Sequence, residues 1–325
     1  MTVANDQISA CGTINPMTLK SILSLYACTV VSLAQPAIRV DVQLVTVSAT
    51  VRDSHGALVT NLAQDDFELI EDGVPQKIAY FKLSSQIPLQ LGLLVDVSGS
   101  QDHSSKQHRS DLERFLHDVL GPDDRAFLLC FGNRLRLASD LTASPQEILD
   151  ALQRFDKESR HLPELGPTAE IREEGTAFYD AIYYGVKEKL TAADKGRRAL
   201  IVFSDGEDNA SAHHMLDAIE SAQSADVLLY GMRYTETKKG KLTARNKYGS
   251  AVMDRLALET GARAFDAKRG DPGDLFRQIG EELRSSYEIG YYSTNSAKDS
   301  SFRKVSVRLK REGLSARAKT GYFVR

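Results

Sequence analysis

The chain has 325 residues, of which 42% are hydrophobic and 26% charged, and its formal net charge is −3. That length and apolar content suffice for one large or two modest domains around a real core. The charge balance excludes a global field that recruits nucleic acid or anionic membrane, and 3 cysteines exclude a disulfide scaffold.

Residues 1–34 read as an N-terminal extension followed by a secretory signal peptide. Lys20 supplies a positive charge, residues 21–34 an uncharged apolar stretch, and Ser32-Leu33-Ala34 a small-x-small end before Gln35. Met17 is the expected start. A retained anchor fits less well, because the stretch is shorter than the ~20 apolar residues that span a bilayer. A lipoprotein signal ending at Cys28 fits least, since Tyr26 suits it poorly and the apolar run continues beyond. The mature chain is therefore expected to be secreted, periplasmic or held at the cell envelope, with no transmembrane segment. Cleavage leaves Cys130 as its sole cysteine, within the apolar run 126–131, as a buried small hydrophobe.

Residues 35–86 read as strands. The stretch 38–52 alternates apolar and polar residues with period two, 53–56 is a turn, and 67–70 with 77–81 predicts a hairpin about 71–75. From Leu89 strands alternate with helices. The expected order is a strand ending at Asp96, a helix at 111–120, a strand at 125–131 and a short antiparallel strand at 135–138. A helix at 145–155 capped by Ser144 and a long loop at 156–175 follow. Next come a helix at 177–190, a strand at 197–204, a helix at 213–224 and a strand at 226–232. A basic loop with Lys238, Lys239 and Lys241, a helix at 251–260, a short strand at 262–266 and a helix at 272–285 close the pattern. Such alternation predicts an α/β fold: a doubly wound, mostly parallel sheet covered by helices on both faces, spanning residues 87–286. Residues 287–325 return to strands at 287–292, 303–310 and 315–324. Neither terminal strand set suffices alone, so both are expected to pair into one small β-sandwich with the α/β domain inserted between them.

The chemistry converges on Leu91–Ser100. An uncharged apolar strand stops at Asp96, and Ser98 and Ser100 follow at i+2 and i+4 in a tight loop. On its own, Asp-x-Ser-x-Ser is also an ordinary turn. Two later segments add to it: Glu174–Ile182, which places Thr176 at the start of a helix, and Leu200–Asn209, a second buried strand ending in Asp205-Gly206. Together these resemble the von Willebrand factor type A (VWFA) domain and its metal-ion-dependent adhesion site. The resemblance implies that Asp96, Ser98, Ser100, Thr176 and Asp205 hold Mg²⁺ or Mn²⁺, hard cations suited to oxygen donors. It implies too that an exposed Asp or Glu of a protein partner completes the coordination. The flanks, with 66–73, 287–292 and 302–307, look like the secreted VWFA-related proteins of acidobacteria.

Adhesion or protein binding is thus the leading expectation, and an envelope component with a dispensable metal site is the alternative. Lys238, Lys239 and Lys241 could greet an acidic partner, although a solvated charged loop is the plainer reading. A metal-dependent hydrolase using Ser98 or Ser100 with His103 ranks lowest. Val97-Ser98-Gly99-Ser100 lacks the first glycine of a nucleophile elbow, His103 and His108 read as solvent-facing helical residues, and His213 and His214 diverge. Asp180 reads as a supporting helix residue, and Glu207 and Asp208 as solvent-facing. No nucleotide-binding or nucleic-acid motif occurs, and the chain is read as a non-enzyme.

Overall fold

A computed structural model describes residues 44–99, 101, 105–166, 175–193, 196–234, 237–238, 241–295, 297 and 299–324. The expected signal peptide, Ser100, His103 and Lys239 lie outside the described residues.

The described residues begin with β1 (Leu44–Asp53), β2 (Phe67–Glu71), β3 (Val74–Gln76) and β4 (Ile78–Leu83). The α/β part follows as β5 (Leu89–Asp96), α1 (Ser105–Val119), β6 (Arg125–Phe131), β7 (Leu135–Thr142), α2 (Pro145–Glu158) and α3 (Phe178–Tyr184). It continues through β8 (Arg197–Ser204), α4 (Met215–Ser224), β9 (Val227–Arg233), the short β10 (Thr237–Lys238) and β11 (Lys241–Leu242), and α5 (Ala244–Thr260). β12 (Ala264–Asp266) and α6 (Pro272–Arg284) complete it. The chain ends with β13 (Tyr287–Tyr292), β14 (Phe302–Leu309), β15 (Leu314–Arg317) and β16 (Gly321–Phe323).

The α/β fold is as expected. The six-stranded sheet has the order β12-β9-β8-β5-β6-β7, parallel except for the antiparallel edge pair β6–β7. β5 is buried at every position because both its faces are covered. Leu91, Leu93 and Val95 pack with Leu112, Phe115, Phe276 and Ile279 on one face. On the other, Leu94, Phe127 and Leu200 pack with Phe178, Ile182 and Met253. Gly92 belongs to this second face, where a Cβ would come within 2.2 Å of Leu200 and 2.5 Å of Phe127. Strand order reverses between β5 and β8, since the chain leaves β5 toward β6 and returns on its other side. Open α/β sheets place ligands at such a switch point, beyond the carboxyl ends of the strands.

Both chain ends contribute to two further sheets, ordered β15-β1-β13-β4 and β16-β14-β2-β3. They share one core in which Val47, Ala49 and Val51 of β1 meet Phe67, Leu69, Tyr287, Ile289 and Val305. Glu71 is buried there and accepts from the hydroxyls of Tyr291 at 2.6 Å and Tyr322 at 2.9 Å. The sandwich meets the α/β part around Glu282 of α6. Its carboxylate takes Arg52 of β1 at 2.7 Å, Arg317 of β15, and the Tyr230 hydroxyl of β9 at 3.2 Å. Burial opposes ionisation of Glu282, but Arg317 and Arg52 outweigh it and hold the carboxyl below its ordinary range.

Several expected boundaries shift. The hairpin joins β2 to β3 through Asp72 (φ 48°) and Gly73 (φ 84°), whereas β4 crosses to the other sheet and pairs with β13. The expected strand 315–324 is two strands in different sheets. They are separated where Lys319 turns inward to donate to the Gln223 carbonyl at 3.0 Å and pair with Asp226. α1 and α5 begin about two turns before their apolar periodicity does. For α5 the signal is Thr243, whose hydroxyl accepts from the Asn246 amide at 3.1 Å. Ser144 caps α2 as expected, accepting from the Glu147 amide at 3.2 Å. Within the expected loop 156–175, α2 runs to Glu158, a 3-10 turn covers Ser159–His161, and Glu164 bridges to Arg136 of β7. The basic loop is a small hairpin in which Lys238 pairs with Lys241.

Candidate metal centre

β5 ends at Asp96 and β8 at Ser204, side by side at the switch point. Asp96 is 1% exposed. One of its oxygens accepts from the Ser98 amide at 3.0 Å and the Ser98 hydroxyl at 2.6 Å; the other accepts from the Ser204 hydroxyl at 2.6 Å. Burial raises the Asp96 carboxyl to about 6 despite these donors, and the charge of neighbouring Asp205 adds to the rise. Among the described residues no lysine or arginine pairs with it.

Asp205 is also buried. It accepts from the Gln101 side-chain amide at 2.9 Å and from the Glu207 amide at 3.1 Å. Gln101 thereby links the loop after β5 to the loop after β8. The turn at Gly206 needs its φ of +79°, and Gly206 lies so close to α5 that a Cβ would meet the Gly249 carbonyl at 2.4 Å.

Thr176 is 4% exposed and sits just before α3. Its amide donates to the Asn209 side chain at 2.6 Å, and its carbonyl accepts from the amides of Asn209 at 3.1 Å and Ala210 at 3.2 Å. The Ala177 amide donates to the Gly132 carbonyl at 2.8 Å, tying this loop to the β6–β7 turn as well.

Two acidic neighbours act as clamps. Asp208 accepts from the amides of Phe178 at 2.9 Å and Tyr179 at 3.3 Å, capping α3 from the β8 loop. Asp180 of α3 reciprocates by accepting from the amides of Ala212 at 3.0 Å and His213 at 2.9 Å. Asp180 is therefore the supporting residue expected. Asp208 and Glu207 do not face solvent as expected: Asp208 is half-buried, and Glu207 is 6% exposed and paired with Arg245.

His108 is a second correction. It lies one turn before Leu112 on the inward face of α1, is 1% exposed, and packs edge-on against Tyr234 with ring centroids 4.1 Å apart. Neither ring nitrogen makes a hydrogen bond of ordinary geometry. Burial lowers its pKa to about 4, partly offset by the Asp96 backbone carbonyl.

Asp96, Ser98, Thr176 and Asp205 thus belong to three loops that are bound to one another at one sheet end. All four side chains offer oxygen, the donor type that suits small hard cations. The Ser98 hydroxyl can present a lone pair to a cation while its proton stays on Asp96. Among the described residues no three His, Cys, Asp or Glu side chains gather in a metal-binding cluster. Cys130 is fully buried in β6. No described helix is long and apolar enough to cross a membrane.

No family model and no curated protein matches the sequence. Solved structures of similar fold include an aerotolerance-related membrane protein from Bacteroides fragilis carrying multiple mutations to serines. It is 14% identical, with a TM-score of 0.45 over 60% of this chain and 98% of that one. A von Willebrand factor type A protein from Catenulispora acidiphila is 11% identical, with a TM-score of 0.45 over 87% of this chain and 74% of its own. Proximal thread matrix protein 1 from the mussel byssus, with a zinc-occupied MIDAS motif, is 13% identical, with a TM-score of 0.46 over 66% of this chain and 49% of its own. These values describe a distant likeness of fold, and the architecture stands on the strand order and register given above.

Proposed function

We propose that this protein is an exported, divalent-cation-dependent protein-binding module. Asp96, Ser98, Ser100, Thr176 and Asp205 hold Mg²⁺ or Mn²⁺, and the cation takes an exposed Asp or Glu carboxylate of the partner. The observation that carries this reading is the Asp96 carboxylate, buried at the switch point beside a second acid and fixed by the Ser98 and Ser204 hydroxyls. A buried carboxylate raised to about 6 is costly to ionise, and a bound cation relieves that cost. Export rests on the apolar stretch 21–34 and its small-residue end. The role is binding rather than turnover, because capture of a carboxylate by such a cation is electrostatic and exchangeable.

The test is anisotropy of a labelled Glu-rich peptide with the full chain in Mg²⁺, in chelator, and with Asp96→Ala. Binding is expected in Mg²⁺ alone. Full affinity in chelator and in the variant would sink the reading.

A further inference from the structure

Beside Ser98 and Thr176 the surface opens into a groove of about 900 Å³. Its charged lining is entirely guanidinium: Arg134, Arg136, Arg160 and Arg245, with no lysine and no carboxylate among the described lining residues. Arg245 is neutralised by Glu207. For the other three the balance is different. Arg134 and Arg136 reach one oxygen of Glu164 at 3.0 and 3.4 Å, so a single carboxylate serves two cations. Arg160, exposed on the 3-10 turn after α2, makes no ion pair among the described residues. Among the described residues, three guanidiniums against one carboxylate leave an excess of positive charge next to the cation site. β7 and the turn preceding it carry Arg134 and Arg136 two residues apart, which aligns them along the groove.

Resting on the metal-dependent reading above, we infer that the partner is an extended acidic protein segment. One of its carboxylates meets the cation, and further carboxylates lie along the shelf made by Arg134, Arg136 and Arg160. Carboxylates match guanidinium forks in a way that a lone ligating Asp or Glu does not exploit. The shelf therefore sets which acidic partners bind, and the cation sets whether any binds. Arg136 also donates to the Leu162 carbonyl at 3.0 Å, which gives it a structural duty and makes it a poor position to substitute.

The test uses the full chain with saturating Mn²⁺ and two labelled Gly-Ser peptides, one with a single Glu and one with a run of Glu. The wild type is expected to bind the Glu run about 10-fold more tightly, the scale of two partly exposed ion pairs. Arg134→Gln with Arg160→Gln is expected to erase that preference and flatten its salt dependence, leaving Mn²⁺ and single-Glu binding unchanged. A preference that persists in the double variant overturns the shelf while leaving the metal reading intact. Arginine-dependent binding that survives Asp96→Ala and chelator does the reverse. Equal, arginine-dependent binding of a single-stranded oligonucleotide would overturn the choice of a protein segment.

Discussion

Ser204 donates its hydroxyl to Asp96 at 2.6 Å and accepts from the Gly206 amide at 3.0 Å. One serine at the end of β8 therefore fixes both the first acid of the site and the backbone that carries the second. Ser204→Ala removes a donor from a buried carboxylate and an acceptor from a buried amide. In chelator it should lose about 2 kcal/mol in urea unfolding, and its apparent Mn²⁺ affinity should fall several-fold. Unchanged values in both measurements would show that Asp96 is positioned by other means.

Protonation gives a signed prediction for the metal-free protein. The Asp96 carboxyl is raised from 3.8 to about 6, so the fold bears a cost above that pH which is relieved as pH falls toward 4. His108 is lowered from 6.5 to about 4, so its contribution is present above 6.5 and is lost as pH falls through that window. Each amounts to about 3 kcal/mol at most, and they oppose one another. Asp96→Asn, measured in chelator, should be more stable than the wild type at pH 7.5. It should lose stability more steeply on acidification from 6.5 to 4, because His108 then acts unopposed. Titrating groups that do not interact with Asp96 cancel in the comparison. Parallel pH profiles would remove this account of Asp96.

Gly206 tests the approach of the β8 loop to α5. A Cβ there meets the Gly249 carbonyl at 2.4 Å on a backbone at φ +79°. Gly206→Ala should cost more than about 2 kcal/mol and weaken Mn²⁺ binding by displacing Asp205. An Ala variant of wild-type stability would contradict the packing described.

The Glu282 cluster tests the union of the sandwich with the α/β part. Glu282→Ala strands Arg52 and Arg317 beside a buried cavity and should cost about 3–5 kcal/mol. Glu282→Gln should cost less, because it keeps hydrogen bonds. Near-neutral stability of both variants would show that the two parts hold together through apolar contacts alone.

The parallel sheet was legible because β5, β8 and β9 each contain an uncharged, mostly apolar run (residues 89–95, 199–203 and 227–232) that suits a doubly covered strand. The places of Asp96, Thr176 and Asp205 at element ends were legible, since Asp96 closes β5, Asp205 follows β8 and Thr176 lies two residues before α3. His108 carried a readable signal that solvent-facing expectations passed over: it stands four and seven residues before Leu112 and Phe115, on the buried face of α1. Ser204 carried one too, as the residue that ends the apolar run 199–203 of β8. Gln101, Glu207 and Asp208 carried none, since their partners come from loops distant in sequence. The β2–β3 pairing was hidden because the short β3 has no apolar alternation and the Asp72-Gly73 turn served either partner. The arginine shelf was invisible for a related reason: Arg160 joins Arg134 and Arg136 only through the path of the chain after α2.

Calorimetric titration of Mn²⁺ into the full chain, alone and with a Glu-rich peptide, beside Asp96→Ala, tests the central claim most directly. The account predicts saturable binding that the peptide strengthens and the variant abolishes. Absence of saturable binding by the wild type even with the peptide present would contradict it.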